Sequence, residues 1–176
     1  MEDLKYPIGQ FNIPTEITNK HIAIWISDIE KFPSRLEVLV ENLTEAQLNT
    51  PYRDGGWTVR QTIHHCADSH VNSYVRFKWT LTEDQPTIKA YYQDRWAELF
   101  DTKDAPIEIS LNFIKALHAK WVYLLKRLTE DDLTKAFIHP ESRDSVSLKN
   151  NIGIYAWHCN HHFAHIQNLL TRKKWI

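Results

Sequence analysis

Apolar residues recur at intervals of three and four in four separate stretches of this chain, the period of amphipathic helices. The first stretch runs from about Thr18 to Leu43 and places Ile22, Trp25, Ile29, Phe32, Leu36, Leu39 and Leu43 on one stripe. Pro33 lies inside it while the period continues on both sides, which predicts a kink or two abutting helices. Thr44-Glu-Ala-Gln47 and Thr58-Val-Arg-Gln61 have the form of capping boxes, the first opening a short turn and the second a long helix. That second helix extends to about Thr82 and has to stop before Pro86. The third spans about 108–128, with Leu111, Ile114, Leu117, Trp121, Leu124 and Leu128 on one face. The fourth spans about 147–171. Between the second and third helices, residues 84–107 show weak periodicity but carry Tyr91, Tyr92, Trp96 and Phe100, the composition of a lid or pocket wall. Residues 137–143 fit a small hairpin.

Four long amphipathic helices without a linker or repeat imply one all-α domain over 1–176, a four-helix bundle. Four glycines in 176 residues agree with long helices and few tight turns. The net charge of −1 and the lack of a Lys/Arg stripe speak against a nucleic-acid partner. Cys66 and Cys159 form no C-x-x-C pair and are expected as reduced thiols. With no signal-like start and no apolar run of membrane-spanning length, the chain is expected to be soluble and cytoplasmic.

The chemistry gathers in two windows. His64, His65 and His70 lie in one, and His158, His161, His162 and His165 in the other, together seven of ten histidines. Imidazole is the commonest protein ligand for zinc, nickel and iron, and a pair at i,i+4 can aim at one ion. On a helical wheel at about 100° per residue, His158 and His162 average about 80° from the apolar direction of the last helix, and His161 and His165 about 140°. The first pair stands at the edge of the buried face, where a ligand between helices has to stand. The other pair reads as outer support or surface. On the second helix His70 reads as a core or pocket-edge residue. His65 shares the opposite face with Gln61, Asp68, Ser69, Asn72 and Arg76, either an exposed polar stripe or the wall of a polar cavity. The wheel does not choose among His64, His65 and His70.

Five segments carry a resemblance to a known family. They are Tyr6-Pro-Ile-Gly9, Thr50-Pro-Tyr-Arg-Asp-Gly-Gly-Trp-Thr-Val-Arg-Gln61, His64-His-Cys-Ala-Asp-Ser-His70, Asn72-Ser-Tyr-Val-Arg-Phe77 and Tyr155-Ala-Trp-His-Cys-Asn-His-His-Phe-Ala-His-Ile166. The chain resembles the YfiT-like metal-dependent hydrolase and bacillithiol S-transferase family of the DinB superfamily, over nearly its whole length. The resemblance implies an up-down-down-up bundle, a homodimer, and one divalent metal, zinc or nickel, held by His65, His158 and His162. Three protein ligands leave coordination positions open, as catalytic sites require.

The resulting expectation is a metal enzyme that activates a low-molecular-weight thiol such as bacillithiol for S-transfer to an electrophile. The alternatives are a hydrolase using activated water, or a non-catalytic metal-binding bundle. Asn72 and Arg76 are candidate anchors for an anionic thiol. Asp68 and His161 are candidates for supporting the ligands or carrying protons.

Overall fold

The computed structural model describes residues 2–176. Its helices are α1 (Glu2–Lys5), α2 (Asn19–Val40), α3 (Glu45–Leu48), α4 (Val59–Thr82), α5 (Gln93–Trp96), α6 (Phe100–Lys103), α7 (Ile107–Leu125), α8 (Glu130–Thr134) and α9 (Leu148–Arg172). Two short strands, β1 (Ala136–Ile138) and β2 (Ser145–Ser147), form the expected hairpin. The long helices α2, α4, α7 and α9 are the four bundle members, and their starts follow the sequence signals. Thr18 and Thr58 cap α2 and α4 through reciprocal boxes with His21 and Gln61, and the Ser147 hydroxyl accepts from the Asn150 amide to start α9.

Side-chain pairs along the helices give their directions. Between α4 and α7, His64 meets Ser110, His70 meets His118 and Phe77 meets Trp121, so the two run parallel. Between α2 and α9, Trp25 lies against Gly153, Asp28 bonds Asn160 and Arg35 covers Phe163, again parallel. By contrast, His65, Ser69 and Ser73 meet His158, Tyr155 and Asn151 in descending order, making α4 and α9 antiparallel. Ion pairs from Glu37 to Lys115 and from Glu30 to Lys126 make α2 and α7 antiparallel as well. This is the up-down-down-up bundle. Because α4 and α7 point the same way, the chain between them has to travel back the length of a helix, hence the long segment 83–106. The segment carries α5 and α6, and a bridge from Thr87 to Ile138 ties it to β1.

Of the two readings of Pro33, the pair of abutting helices falls: Pro33 neither splits nor ends α2, which is continuous from Asn19 to Val40. A proline has no N–H to give the carbonyl four residues earlier, so the Ile29 carbonyl loses its intrahelical partner. His118 on α7 supplies the replacement, its Nδ1 donating to Ile29 O at 2.7 Å.

The core contains Ile29, Phe32 and Leu36 of α2, Ile63 and Phe77 of α4, Ile114 and Trp121 of α7, and Ile152, Ile166 and Leu170 of α9. Gly153 allows α9 a close neighbour, since a Cβ there would lie 2.7 Å from the Phe11 ring and 3.0 Å from Trp25. This close approach brings the chain before α2 onto α9, over the histidine window. Among the described residues no helix is long and apolar enough to cross a membrane.

Candidate metal centre

Both histidine windows face each other across the α4–α9 seam. His65, His158 and His162 each present a ring nitrogen, and the three atoms lie within 4.8 Å of one another. His65 Nε2 and His158 Nε2 are 3.3 Å apart. Two imidazole nitrogens bound at about 2.0–2.1 Å to a tetrahedral ion stand about 3.3 Å apart, so the spacing fits a shared divalent metal. Burial is the main reason these imidazoles resist protonation, helped by repulsion from neighbouring histidines, His161 and His165 among them: His65 is pushed down to about 3, and His158 and His162 well below the usual value. Neutral imidazole is the ligating form, so at neutral pH the site has no proton to expel before an ion enters.

Local structure also separates His65 from its neighbours on α4. His64 bonds Ser110 through Nδ1 at 2.7 Å and the Ala105 carbonyl through Nε2 at 3.2 Å, fastening α4 to the start of α7. His70 is fully buried and turns toward His118 and His158. Gln61, His65 and Ser69 are buried too, so the polar face of α4 is not an exposed stripe, and its His65, Ser69 and Arg76 line cavities.

The other predicted residues are placed less uniformly. Arg76 lines a cavity beside the cluster, and its buried Nε has no partner. Asn72 gives its amide to the Asp68 carbonyl of its own helix and lines neither cavity next to the cluster. Asp68 is half-buried one turn from His65, with a carboxyl raised to about 6, by burial first and then by the charge of Asp101. It has no side-chain hydrogen bond to the described histidines.

His161 and His165 depart from the wheel most. Both are buried, and both resist protonation, chiefly through burial: His161 is held to about 3 and His165 to about 4. The wheel counted only helices as cover, whereas the N-terminal segment and the turn before α4 close over this face. His165 stacks on Tyr52 with centroids 4.0 Å apart and bonds the Lys5 carbonyl through Nε2 at 3.1 Å. Trp157 stacks on His161 and donates from its indole N–H to the Gly9 carbonyl. Gly55, at φ +65°, makes the turn that presents Tyr52 and Trp57, and the Trp57 ring lies 4.5 Å from that of His65. His161, His162 and His165 form a second close group of ring nitrogens, also within 4.8 Å.

Two cavities open beside the cluster. The first, about 420 Å³, is walled by Lys5, Tyr52, Arg53, Trp57, Trp157 and the histidines of α9. The second, about 520 Å³, is walled by Ser69, Arg76, Tyr91, His139, Asn151 and Tyr155. Both reach His158 and share Gln93 and Asp94 of α5. The connecting segment is therefore a wall of the site through Tyr91, Tyr92, Gln93 and Asp94, while its Phe100 is exposed. Sequence reasoning placed Ser69 on the face of His65 but did not find Tyr155, Trp57 or His118 as parts of the site. Trp57 had a signal in the Gly-Gly-Trp block, and His118, alone on α7, had none.

Comparison with known proteins gives the family and the fold. Residues 28–166 match the model of the DinB superfamily. An Oceanobacillus iheyensis protein named "Putative metal-dependent hydrolase OB0782" is 54% identical over 97% of this chain and 98% of its own length. A Bacillus cereus protein named "Putative metal-dependent hydrolase" is 51% identical over 99% of this chain and all of its own. Among solved structures, YfiT from Bacillus subtilis, described as "a probable metal-dependent hydrolase with an unusual four-helix bundle topology", superposes with a TM-score of 0.96 at 45% identity, covering 99% of both chains. The chain belongs to the DinB superfamily and, within it, to the YfiT-like group.

Proposed function

We propose that this protein is a metal-dependent enzyme in which His65, His158 and His162 hold one zinc or nickel ion, and that it transfers a low-molecular-weight thiol of the bacillithiol type to an electrophile. The observation that carries the two-substrate reading is the pair of cavities meeting at His158. Hydrolysis needs one organic substrate and a water, whereas S-transfer needs room for two organic molecules at one centre. A divalent ion bound by three neutral imidazoles lowers the pKa of a thiol or water beside it, supplying the nucleophile near neutral pH.

The chain's own residues do the rest. Arg76, with its free buried Nε, is suited to a carboxylate-bearing thiol in the second cavity, where a bidentate pair fixes both position and direction. Tyr91 and Tyr155 wall that side, and burial keeps the Tyr91 phenol protonated well above its usual range. The aromatic first cavity is left for the electrophile, with Trp57 and Trp157 flanking the histidines and limiting water. Sulfur then bonds to the electrophilic carbon as the leaving group departs with the bonding pair, and the thiol proton passes to solvent.

Hydrolysis is the second reading, favoured by the names of the relatives. Assays of the zinc- and nickel-loaded protein separate the two. Turnover of a chromogenic electrophile that requires bacillithiol and stops with a chelator supports S-transfer. Ester or amide turnover without thiol overturns it in favour of hydrolysis.

A further inference from the structure

We infer that His70 and His118 are positioning residues that lock His158 into the tautomer offering Nε2 to the metal, with the polarity of the whole chain set by the carbonyl that Pro33 leaves free on Ile29. The inference rests on the metal-site reading above.

The chain of contacts is continuous. His158 Nδ1 lies 3.0 Å from His70 Nε2, His70 Nδ1 lies 2.8 Å from His118 Nε2, and His118 Nδ1 lies 2.7 Å from Ile29 O. A backbone carbonyl can only accept, so the proton at the far end belongs to His118 Nδ1. His118 Nε2 is then a lone pair, and His70 Nδ1 has to donate to it. His70 Nε2 becomes a lone pair in turn, and His158 Nδ1 has to donate to that. What remains on His158 is the Nε2 lone pair, and this is the atom that faces His65 Nε2 at 3.3 Å. With one proton on each ring no other arrangement makes all three bonds, and both rings lie enclosed in the core, away from solvent.

The Ile29 carbonyl gives the chain its direction, because it can only accept. Pro33 withholds the helical N–H that would otherwise share this carbonyl, so His118 is the donor that satisfies it. His70 and His118 are among the most enclosed polar residues, at 0% and 1% exposure, and their rings are held by Phe32 and Trp121. Their bonds are therefore shielded from water exchange. A second consequence concerns charge. Ligating histidines commonly donate to a carboxylate, which adds negative charge to the site. Here the outer partner is an imidazole rather than a carboxylate, so His158 would be oriented toward an ion without added negative charge.

Two measurements test this. Nitrogen NMR of the ring atoms in the metal-free protein should find His70 and His118 protonated at Nδ1 and bare at Nε2. The Nε2–H tautomer on either residue overturns the inference, whatever any variant does. Zinc titration against a chromogenic chelator should give a dissociation constant about 10–100-fold weaker for His118→Leu, which removes the acceptor. His118→Gln should stay close to the unaltered protein, because its amide oxygen can accept from His70 Nδ1. A folded His118→Leu with unchanged affinity overturns the inference, and should that variant not fold, the tautomers decide. Failure of the unaltered protein to bind zinc or nickel overturns the metal-site reading, and the inference with it.

Discussion

The two ligand candidates on α9 are supported in the same way from opposite sides, and the supports differ in stiffness. His158 leads inward through His70 and His118 to a carbonyl in the bundle core, over contacts of 2.7–3.0 Å. His162 leads outward: its Nδ1 is 3.4 Å from His165 Nδ1, and His165 Nε2 donates to the Lys5 carbonyl at 3.1 Å. The logic of an accepting carbonyl applies again and leaves Nε2 as the atom His162 can offer. But the outer chain is shorter and its contacts longer, and it ends on a segment laid over the bundle by Trp157 and the Tyr52 turn. The same tautomer is specified twice, once by the core and once by a cover. One proposed ligand is fixed with the fold, and the other is fixed only while the N-terminal segment stays in place.

Removing the ligands themselves should have the largest effect. His158→Ala and His162→Ala should each weaken metal binding by more than about 100-fold, read by calorimetric titration. They should differ in stability. His158→Ala strands His70 Nε2 in the core, a cost of about 1–3 kcal/mol in chemical denaturation, whereas His162→Ala leaves a gap beside a solvent-reaching cavity. Equal losses of stability would dissolve the distinction between the two sides.

Acid should act next. His118 is held down to about 4 by burial, from an ordinary value of 6.5. The unfolded chain binds that proton more readily than the folded one, so the stability is complete above pH 6.5 and is lost as pH falls toward 4. Between pH 7 and 5 this group alone should cost the metal-free protein about 2 kcal/mol, measured by urea unfolding at each pH. His118→Leu should flatten that slope, and an unchanged slope would remove His118 from the account.

Deleting residues 1–9 removes the Lys5 carbonyl and uncovers His165 while leaving the inner chain whole. Metal affinity should fall only several-fold, about 1 kcal/mol, and the His165 and His161 titrations should move up toward 6.5. A loss as large as that of His118→Leu would mean that the cover matters as much as the core. Smallest is Pro33→Ala, which returns an N–H to Ile29 O. A carbonyl can accept two bonds, so metal affinity should change by less than about threefold in the same titration.

These contrasts mark where sequence was informative. The four helices were legible because each buries one stripe, and Thr44 and Thr58 announced where helices begin. His158 and His162 stood at the edge of the apolar face, and the structure brings them beside His65. Spacing could not pick out His65, because the partners that occupy His64 and His70 come from α7, more than forty residues away in the chain. His161 and His165 were read as outward-facing for a related reason. Helical periodicity reports burial by other helices and is silent about cover by irregular chain. The connecting segment was recognisable as a wall but not as a necessity, since the need for it comes from the parallel direction of α4 and α7. Arg76 and Asn72 looked equivalent on one stripe, yet only Arg76 reaches a cavity, since Asn72 is satisfied within its own helix turn.

Pro33 also bears on the order in which the molecule assembles. Before the helices meet, water can serve the Ile29 carbonyl. Ile29 ends fully buried, and from then on only His118 can. Burying the middle of α2 without α7 in place would orphan that carbonyl at about 1–3 kcal/mol. These two helices therefore form and open as one cooperative unit although about eighty residues separate Ile29 from the start of α7, and amide hydrogens around Ile29 and His118 should exchange with solvent at a common rate.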